Sequence, residues 1–433
     1  MSIKQQLEQL KRKLQKFKLA RFSIFLCTCW LTVQFFILPG LTQQTVTVKI
    51  LIQALQAAQW EPLVQKFNTQ HEKINLELVK APNDSNIIED LYSSAFLLGD
   101  SPYDLIYMDI VWVQKFAAAG WLESLEDRVS EATLAEYFPG DVDGGRYQGE
   151  LYRMPLRSDV GMLYYRTDLL NEAGYQPPET FSDLIEISQA LQKQTNVDWG
   201  YVWQGKQYEG LSAMFVEILE GFGGYWVNPE TLEVGLDQPE AIAAVEFLRN
   251  AIASGISPPG VTTYGEEETR RFFQSGNAIF LRNWPYVVPL AADSEISGKF
   301  AIKAMPHLPG ENSGACLGGW GLGIAKSSPH PDAAWSVIEY FNQVDTQREL
   351  LLITGFVPSR KSLFTDPVLV AKYDYYPKLL EVAENSVLRP PIAQYAQVSD
   401  ILQRYLSAAL TNRIDTESAM EAAASETRRL LVK

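Results

Sequence analysis

From Val46 onward the chain alternates short apolar runs with amphipathic windows, and this alternation narrows the fold more than any other feature. Val46 to Ile52 predicts a strand, Trp60 to His71 an amphipathic helix, Ile74 to Val79 a second strand and Ile87 to Leu98 a second helix. Tyr103 to Asp109 follows as a buried strand ending in an acid, and Val111 to Ala119 as a further helix. Strands regularly spaced by helices predict an α/β fold with a parallel, doubly wound sheet, in which ligands bind beyond the carboxyl ends of the strands. Asp109 falls at such an end, and it is equally placed to cap the helix that follows.

The pattern then changes. An extended segment, Gly149 to Leu156, leads into the charged triplet Arg157-Ser158-Asp159 and the apolar strand Val160 to Tyr165, which predicts a crossing between two lobes. A second α/β unit follows, with helices expected over Phe181 to Lys193, Leu211 to Leu219, Pro239 to Ser254 and Glu266 to Ser275, and a turn-rich stretch at Trp199 to Gly205. Cys316 to Ile324 reads as a glycine-laced strand, open to close approach by another chain or a ligand. A helix at Asp332 to Asn342, a return crossing at Val357 to Arg360 and helices at Ala396 to Leu410 and Thr416 to Leu431 complete the chain. With 433 residues the chain exceeds one ordinary core, so two domains are expected.

Charge restricts the ligand. The formal net charge is −15, yet Met1 to Arg21 carries seven Lys/Arg against Glu8; removing that net +6 leaves −21 on the remainder. A body this acidic repels nucleic acid and anionic membrane surfaces and favours a neutral or cationic ligand. No phosphate-cradling glycine motif is present. Cys27 and Cys29 lie in the N-terminal apolar stretch, leaving Cys316 without a disulfide partner in the body, and His71, His307 and His330 have no metal-ligand spacing. Neither a metal nor a cofactor is expected.

Phe22 to Leu38 carries no charge and sits at the short end of the roughly 17–25 residues that span a bilayer. It reads as an export signal or a retained anchor, with residues 1–21 cytoplasmic and everything after Gly40 sent outward. The apolar run continues past Cys29, which argues against lipoprotein acylation there, and no small-x-small cleavage site is clear.

Arg282-Asn283-Trp284-Pro285-Tyr286 follows the apolar strand Ala278 to Leu281. Pro285 cannot continue a ladder, so two large amphipathic rings are presented at a strand's end. Such rings suit the C–H face of a pyranose, and fixed carboxylates and guanidinium groups suit its hydroxyl rim. Packing in a core is the competing reading for both rings.

Read in order, several pieces resemble the solute-binding proteins of ATP-driven sugar importers, in the trehalose/maltose-binding branch. The likeness is carried by Asp104 to Asp109, Ala119 to Glu123, Gly161 to Leu170, Trp203 to Leu211, Arg282 to Tyr286 and Gly318-Gly319-Trp320. The resemblance implies a two-lobed, maltose-binding-protein-like (type II) fold with crossing hinge strands and a central cleft. Lobe I is then residues 46–157 and 314–360, and lobe II residues 158–313 and 361–433. It further implies that Asp109 and Trp320 come from the first lobe, Trp284, Tyr286 and Arg389 from the second, and Asp159 from the crossing. The rings would stack on sugar faces, the charged groups would take hydroxyls, and Gly318 and Gly319 would admit the ligand to the backbone.

Departures from the family pattern fall in the first lobe. Gln56, in an apparently short loop over Gln53 to Gln59, stands near an expected glutamate; Ile87, Ile88 and Glu89 replace an arginine, and Arg157 replaces an aromatic. A smaller α-glucoside than maltose is therefore expected: trehalose, sucrose or glucosylglycerol, handed to permease and ATPase subunits by a monomeric, extracytoplasmic protein. Maltose or maltodextrin, another neutral or cationic solute, and a glycosidase using Asp109 and Asp159 are the alternatives.

Overall fold

The computed structural model describes residues 7–9, 11–16, 45–99, 101–384 and 386–432. The apolar run Phe22 to Leu38, read as a signal or anchor, lies outside the described residues; among those described, no helix is long and apolar enough to cross a membrane.

Two sheets organise the chain. Their strands are β1 (Val46–Gln53), β2 (Ile74–Ala81), β3 (Leu105–Asp109), a small hairpin of β4 (Arg146–Tyr147) and β5 (Glu150–Leu151), β6 (Met154–Val160) and β7 (Met162–Arg166). β8 (Trp199–Val202), β9 (Ala278–Asn283), β10 (Phe300–Lys303), β11 (Cys316–Ile324), β12 (Val357–Pro358) and β13 (Val387–Leu388) follow. The larger sheet has seven strands in the order β12-β6-β11-β3-β1-β2, with β13 added beside β11; the smaller has four, in the order β10-β7-β9-β8.

The larger sheet corrects the expectation of a purely parallel sheet. β1 is parallel to β2 and β3, as the strand–helix alternation predicts, but β11 runs antiparallel to both β3 and β6. The reason is that β6 and β11 link the two sheets directly, without a covering helix, so the crossover rule for βαβ units does not apply to them. The triplet Arg157-Ser158-Asp159 lies inside β6, not between sheets. The switch occurs at Gly161, which splits the strand expected over Val160 to Tyr165 into β6 and β7. A Cβ at Gly161 would lie 1.5 Å from Glu217 Oε1 and 2.5 Å from Arg282 Nη2, so only glycine fits over that buried pair. Val357 and Pro358, read as a return crossing, form the edge strand beside β6, and the turn-rich Trp199 to Gly205 stretch contributes β8.

Helix boundaries also moved. The first helix spans Ala54–Gln70, six residues earlier than expected, directly off β1 and with Pro62 inside it. Gln56 therefore stands on a helix's first turn instead of in a loop. Beyond β3, a 3₁₀ turn at Ile110–Trp112 precedes the helix Val113–Ala118, and Asp109 Oδ1 accepts from the Val111 amide at 3.3 Å.

Each sheet has its own core. Trp60, Phe67, Phe116 and Phe341 pack with Ile50, Ile52, Leu105 and Tyr107 around the larger sheet, while Trp203, Phe215, Phe280 and Leu402 pack around the smaller one. A third cluster joins Val160 and Val357 of the larger sheet to Met162 and Tyr164 of the smaller one, and adds Leu363, Leu369 and Tyr376 from the segment after β12. Burying each such side chain contributes about 1.5–3 kcal/mol, which fixes the strand ends from which the site is built.

Candidate functional site

Sheet register assembles one wall. Trp320 on β11 stands opposite Asp109 on β3 and opposite Arg157 on β6, so these three side chains form a row across three strands. Two residues along, Asp159 stands opposite Gly318 on the same face. Facing this wall is the end of β9, where Trp284 and Tyr286 are both half-buried.

Between them lies a cavity of about 490 Å³, and all nine residues singled out from sequence line it: Gln56, Asp109, Arg157, Asp159, Trp284, Tyr286, Gly319, Trp320 and Arg389. A space of this size is in the range for small molecules.

The polar tips of the two rings on the β9 side are already engaged. Tyr286 donates its hydroxyl to Glu267 Oε1 at 2.9 Å, and Trp284 Nε1 reaches Glu266 Oε1 at 3.4 Å. Both carboxylates come from the helix Glu266–Gln274. Beneath Trp284, the Arg282 guanidinium lies 4.2 Å from the ring centroid and is paired with Glu217; both charged side chains are completely buried. Removing either partner would leave an uncompensated charge in the interior.

Arg389 follows β13, which pairs into the larger sheet, and its guanidinium joins the two sides of the cleft. It donates to Asp109 Oδ1 at 3.0 Å and to Glu209 Oε1 at 2.7 Å. Glu209 begins the helix Glu209–Gly221 and also accepts from the hydroxyls of Tyr395 and Ser399. Burial pushes the Glu209 pKa up, and Arg389 with the two hydroxyls pulls it back. Burial works against the Arg389 charge, but Asp109 and its other neighbours hold that guanidinium well above its ordinary range, so it is cationic. Two further ties cross the cleft: Lys206 Nζ meets Asp84 Oδ2 at 3.1 Å, and the Glu209 amide donates to Asn86 Oδ1 at 3.2 Å.

Two atoms of this network have no partner among the described residues although both are buried, Asp159 Oδ1 and Arg389 Nε. One is an acceptor and the other a donor. A buried polar atom left unpaired costs roughly 1–3 kcal/mol, so each favours a ligand or water that completes it. Asp109 and Asp159 are each tied to a guanidinium, an arrangement that orients a hydrogen-bond acceptor. Among the described residues, no group of three His, Cys, Asp or Glu side chains is placed to hold a metal ion.

Three of the expected residues also serve packing. Gly318 and Gly319 line the cavity and make room for the protein itself as well: a Cβ at Gly318 would lie 3.3 Å from the Trp284 indole, and one at Gly319, where φ is +133°, would lie 2.7 Å from the Arg157 carbonyl oxygen. Trp320 lines the cavity, yet it is only 6% exposed and is packed against Tyr107 and Trp112 at centroid distances of 4.9 and 5.0 Å. Its indole is a wall member more than an open stacking platform.

Sequence reasoning missed Glu209, Lys206, Glu266 and Phe356, all of which line the cavity. A signal existed for the first: a carboxylate opening a largely apolar helix, inside the stretch Trp203 to Leu211 already singled out.

Comparison with known proteins agrees with this architecture. Residues 53–348 match the family described as bacterial extracellular solute-binding protein. A probable ABC transporter-binding protein of Deinococcus radiodurans is 32% identical over 348 residues, covering 78% of this chain and 82% of the relative. Maltose-bound MalE3 of T. maritima superposes with a TM-score of 0.85 at 36% identity, over 89% of this chain and 100% of that one. An ABC transporter solute-binding protein of Thermotoga lettingae TMO, bound with α-D-tagatose, gives 0.81 at 25% identity, over 90% and 100%. The chain therefore belongs to the bacterial extracellular solute-binding protein family, and its fold is the two-lobed, MalE-like fold of periplasmic binding proteins.

Proposed function

We propose that this protein captures a small neutral glucoside outside the cytoplasmic membrane and delivers it, unaltered and as a monomer, to the permease and ATPase of an ABC importer. The observation that carries the reading is the cavity's chemistry. Two half-buried rings whose polar tips are already bonded line one cavity with Asp159 and Arg389, each of which keeps one buried polar atom, Asp159 Oδ1 and Arg389 Nε, without a partner among the described residues. Rings for C–H faces and a fixed acceptor and donor for hydroxyls are what an uncharged sugar requires. Asp109, Asp159, Arg157, Arg389, Trp284, Tyr286, Gly319, Trp320 and Gln56 are proposed as the binding residues, with residues 46–157 and 314–360 as one lobe and 158–313 and 361–433 as the other. Membership of an extracellular family supports an extracytoplasmic location, with residues 22–40 as signal or anchor.

Trehalose, sucrose and glucosylglycerol are the preferred ligands. Maltose is the second reading, favoured by the 36% identical structure that holds it. Calorimetric titration with these four compounds and with putrescine tests both. Saturable binding of a neutral glucoside, near −8 kcal/mol if the affinity is about micromolar, is the expected result. Binding of the diamine alone would overturn the proposal, and release of glucose from trehalose or sucrose would replace capture by hydrolysis.

A further inference from the structure

Arg282 and Asn283 precede Trp284 directly, yet neither lines the cavity. Both are completely buried, as are Gln204, Glu217 and Thr269, and the five form one hydrogen-bonded network. Arg282 donates through Nε to Glu217 Oε2 at 2.7 Å and through Nη1 to Gln204 Oε1 at 3.0 Å. Gln204 Nε2 donates to the Thr269 hydroxyl at 2.9 Å and to the Arg282 carbonyl at 3.0 Å. Asn283 Nδ2 donates to the same hydroxyl at 3.2 Å and to the Glu266 carbonyl at 3.1 Å. At the far end, Glu217 Oε1 accepts from the amide of Cys316, where β11 begins, at 3.3 Å. Every side-chain nitrogen and oxygen of the five has a partner. Such a network is rigid, because moving one member strands another polar group away from water.

The network ends on Trp284. Asn283 Oδ1 accepts from the Trp284 amide at 2.8 Å, and the Tyr164 hydroxyl donates to the Trp284 carbonyl at 2.7 Å. β9 stops at Asn283 and Pro285 cannot extend its ladder, so side chains hold this backbone where a neighbouring strand would otherwise do so. Glu266, which meets the indole N–H, is tied to Asn283 through its own carbonyl. We propose that Asn283 is a positioning residue, which does not touch the ligand and fixes the Trp284 backbone and indole in the orientation the ligand meets. The inference rests on the reading of the cavity as a sugar site.

Two readouts test it. In protein carrying isotope-labelled tryptophan, the indole N–H resonance lost in Trp284→Ala identifies Trp284; in Asn283→Ala that resonance should shift or broaden while those of the other tryptophans keep their places. In calorimetric titration with the four glucosides named above, Asn283→Ala should bind the tightest of them about tenfold more weakly, whereas in a Trp284→Ala background the same substitution should change Kd by less than about twofold. Asn283→Asp keeps the acceptor for the Trp284 amide and gives up the donor to Glu266, so it should restore part of the affinity. It also serves if the alanine variant does not fold, since the lost donor should still move the Trp284 resonance. An unmoved resonance, an unchanged Kd in folded Asn283→Ala, or an equal loss with and without the indole overturns the proposal and leaves the sugar site standing. Wild-type protein that binds none of the four glucosides overturns the sugar-site reading and this inference with it.

Discussion

Trp284 makes the most concentrated contribution of any single residue to the cleft. Its indole stacks over a buried guanidinium, reaches a carboxylate with its N–H and fills the notch left by Gly318 on the opposite wall. Trp284→Ala should weaken sugar binding by roughly 1–4 kcal/mol in a calorimetric titration, the range for a buried aromatic anchor. An unchanged dissociation constant would remove it from the site. A second prediction concerns Asp141, which is fully buried, accepts through Oδ2 from the Ser158 hydroxyl and has an Oδ1 without a partner among the described residues. Burial raises its pKa from 3.8 to about 6, against the pull of Arg153 and Ser158. Because the folded state holds this proton more tightly than the unfolded state, stability should fall as pH rises from 3.8 to about 6 and level off above that. The loss from this group is at most about 3 kcal/mol. Asn at 141 keeps an acceptor for Ser158 but does not titrate, so the melting temperature of Asp141→Asn relative to wild type should climb across that window; parallel profiles would show that Asp141 is not the group responsible. At this scale the sequence was informative about residue type and silent about pairing. Asp109, Arg389 and Trp284 could be named from their local settings, but that Arg389 bridges Asp109 and Glu209 depends on side chains 280 and 180 residues away.

Among the elements, periodic segments were legible and junctions were not. Alternation of apolar and polar positions located β1, β2, β3, β9 and β11 and most long helices, because the hydrophobic pattern reports which face is buried. It did not show β6 and β7 as separate strands, since Val160 to Tyr165 is apolar throughout and the break at Gly161 has a tertiary cause. That cause yields a prediction. Gly161→Ala would drive a methyl group into the fully buried Glu217–Arg282 pair and should destabilise the protein by about 1–3 kcal/mol or more, measured by chemical denaturation. A neutral result would mean that the sheet switch relaxes freely around the added carbon. The early start of the helix Ala54–Gln70 was hidden for a related reason: Gln53 offers no capping side chain bond, so no boundary signal was available. Antiparallel insertion of β11 was equally invisible, because strand direction is a property of the connection and not of the strand's own residues.

The molecule as a whole uses the crossing strands to bring two separately cored lobes to one cleft. Lys206–Asp84 and the Glu209 amide to Asn86 hold the cleft together at its rim, and Arg389 does so at depth. The rim pair is partly exposed and is worth at most about 1 kcal/mol, so of these ties the buried Arg389 contacts bind the two sides more firmly. Convergence of the nine residues was not derivable from their spacing; it entered through resemblance, and the shared cavity is a property of the folded chain. The measurement that bears most directly on the account is a crystal structure grown with a saturating neutral disaccharide. The account predicts one sugar in the cavity, with a ring face on Trp284 or Tyr286 and hydroxyls on Asp159 Oδ1 and the Arg389 guanidinium. A sugar bound elsewhere, or a cavity holding only water at saturation, would contradict it.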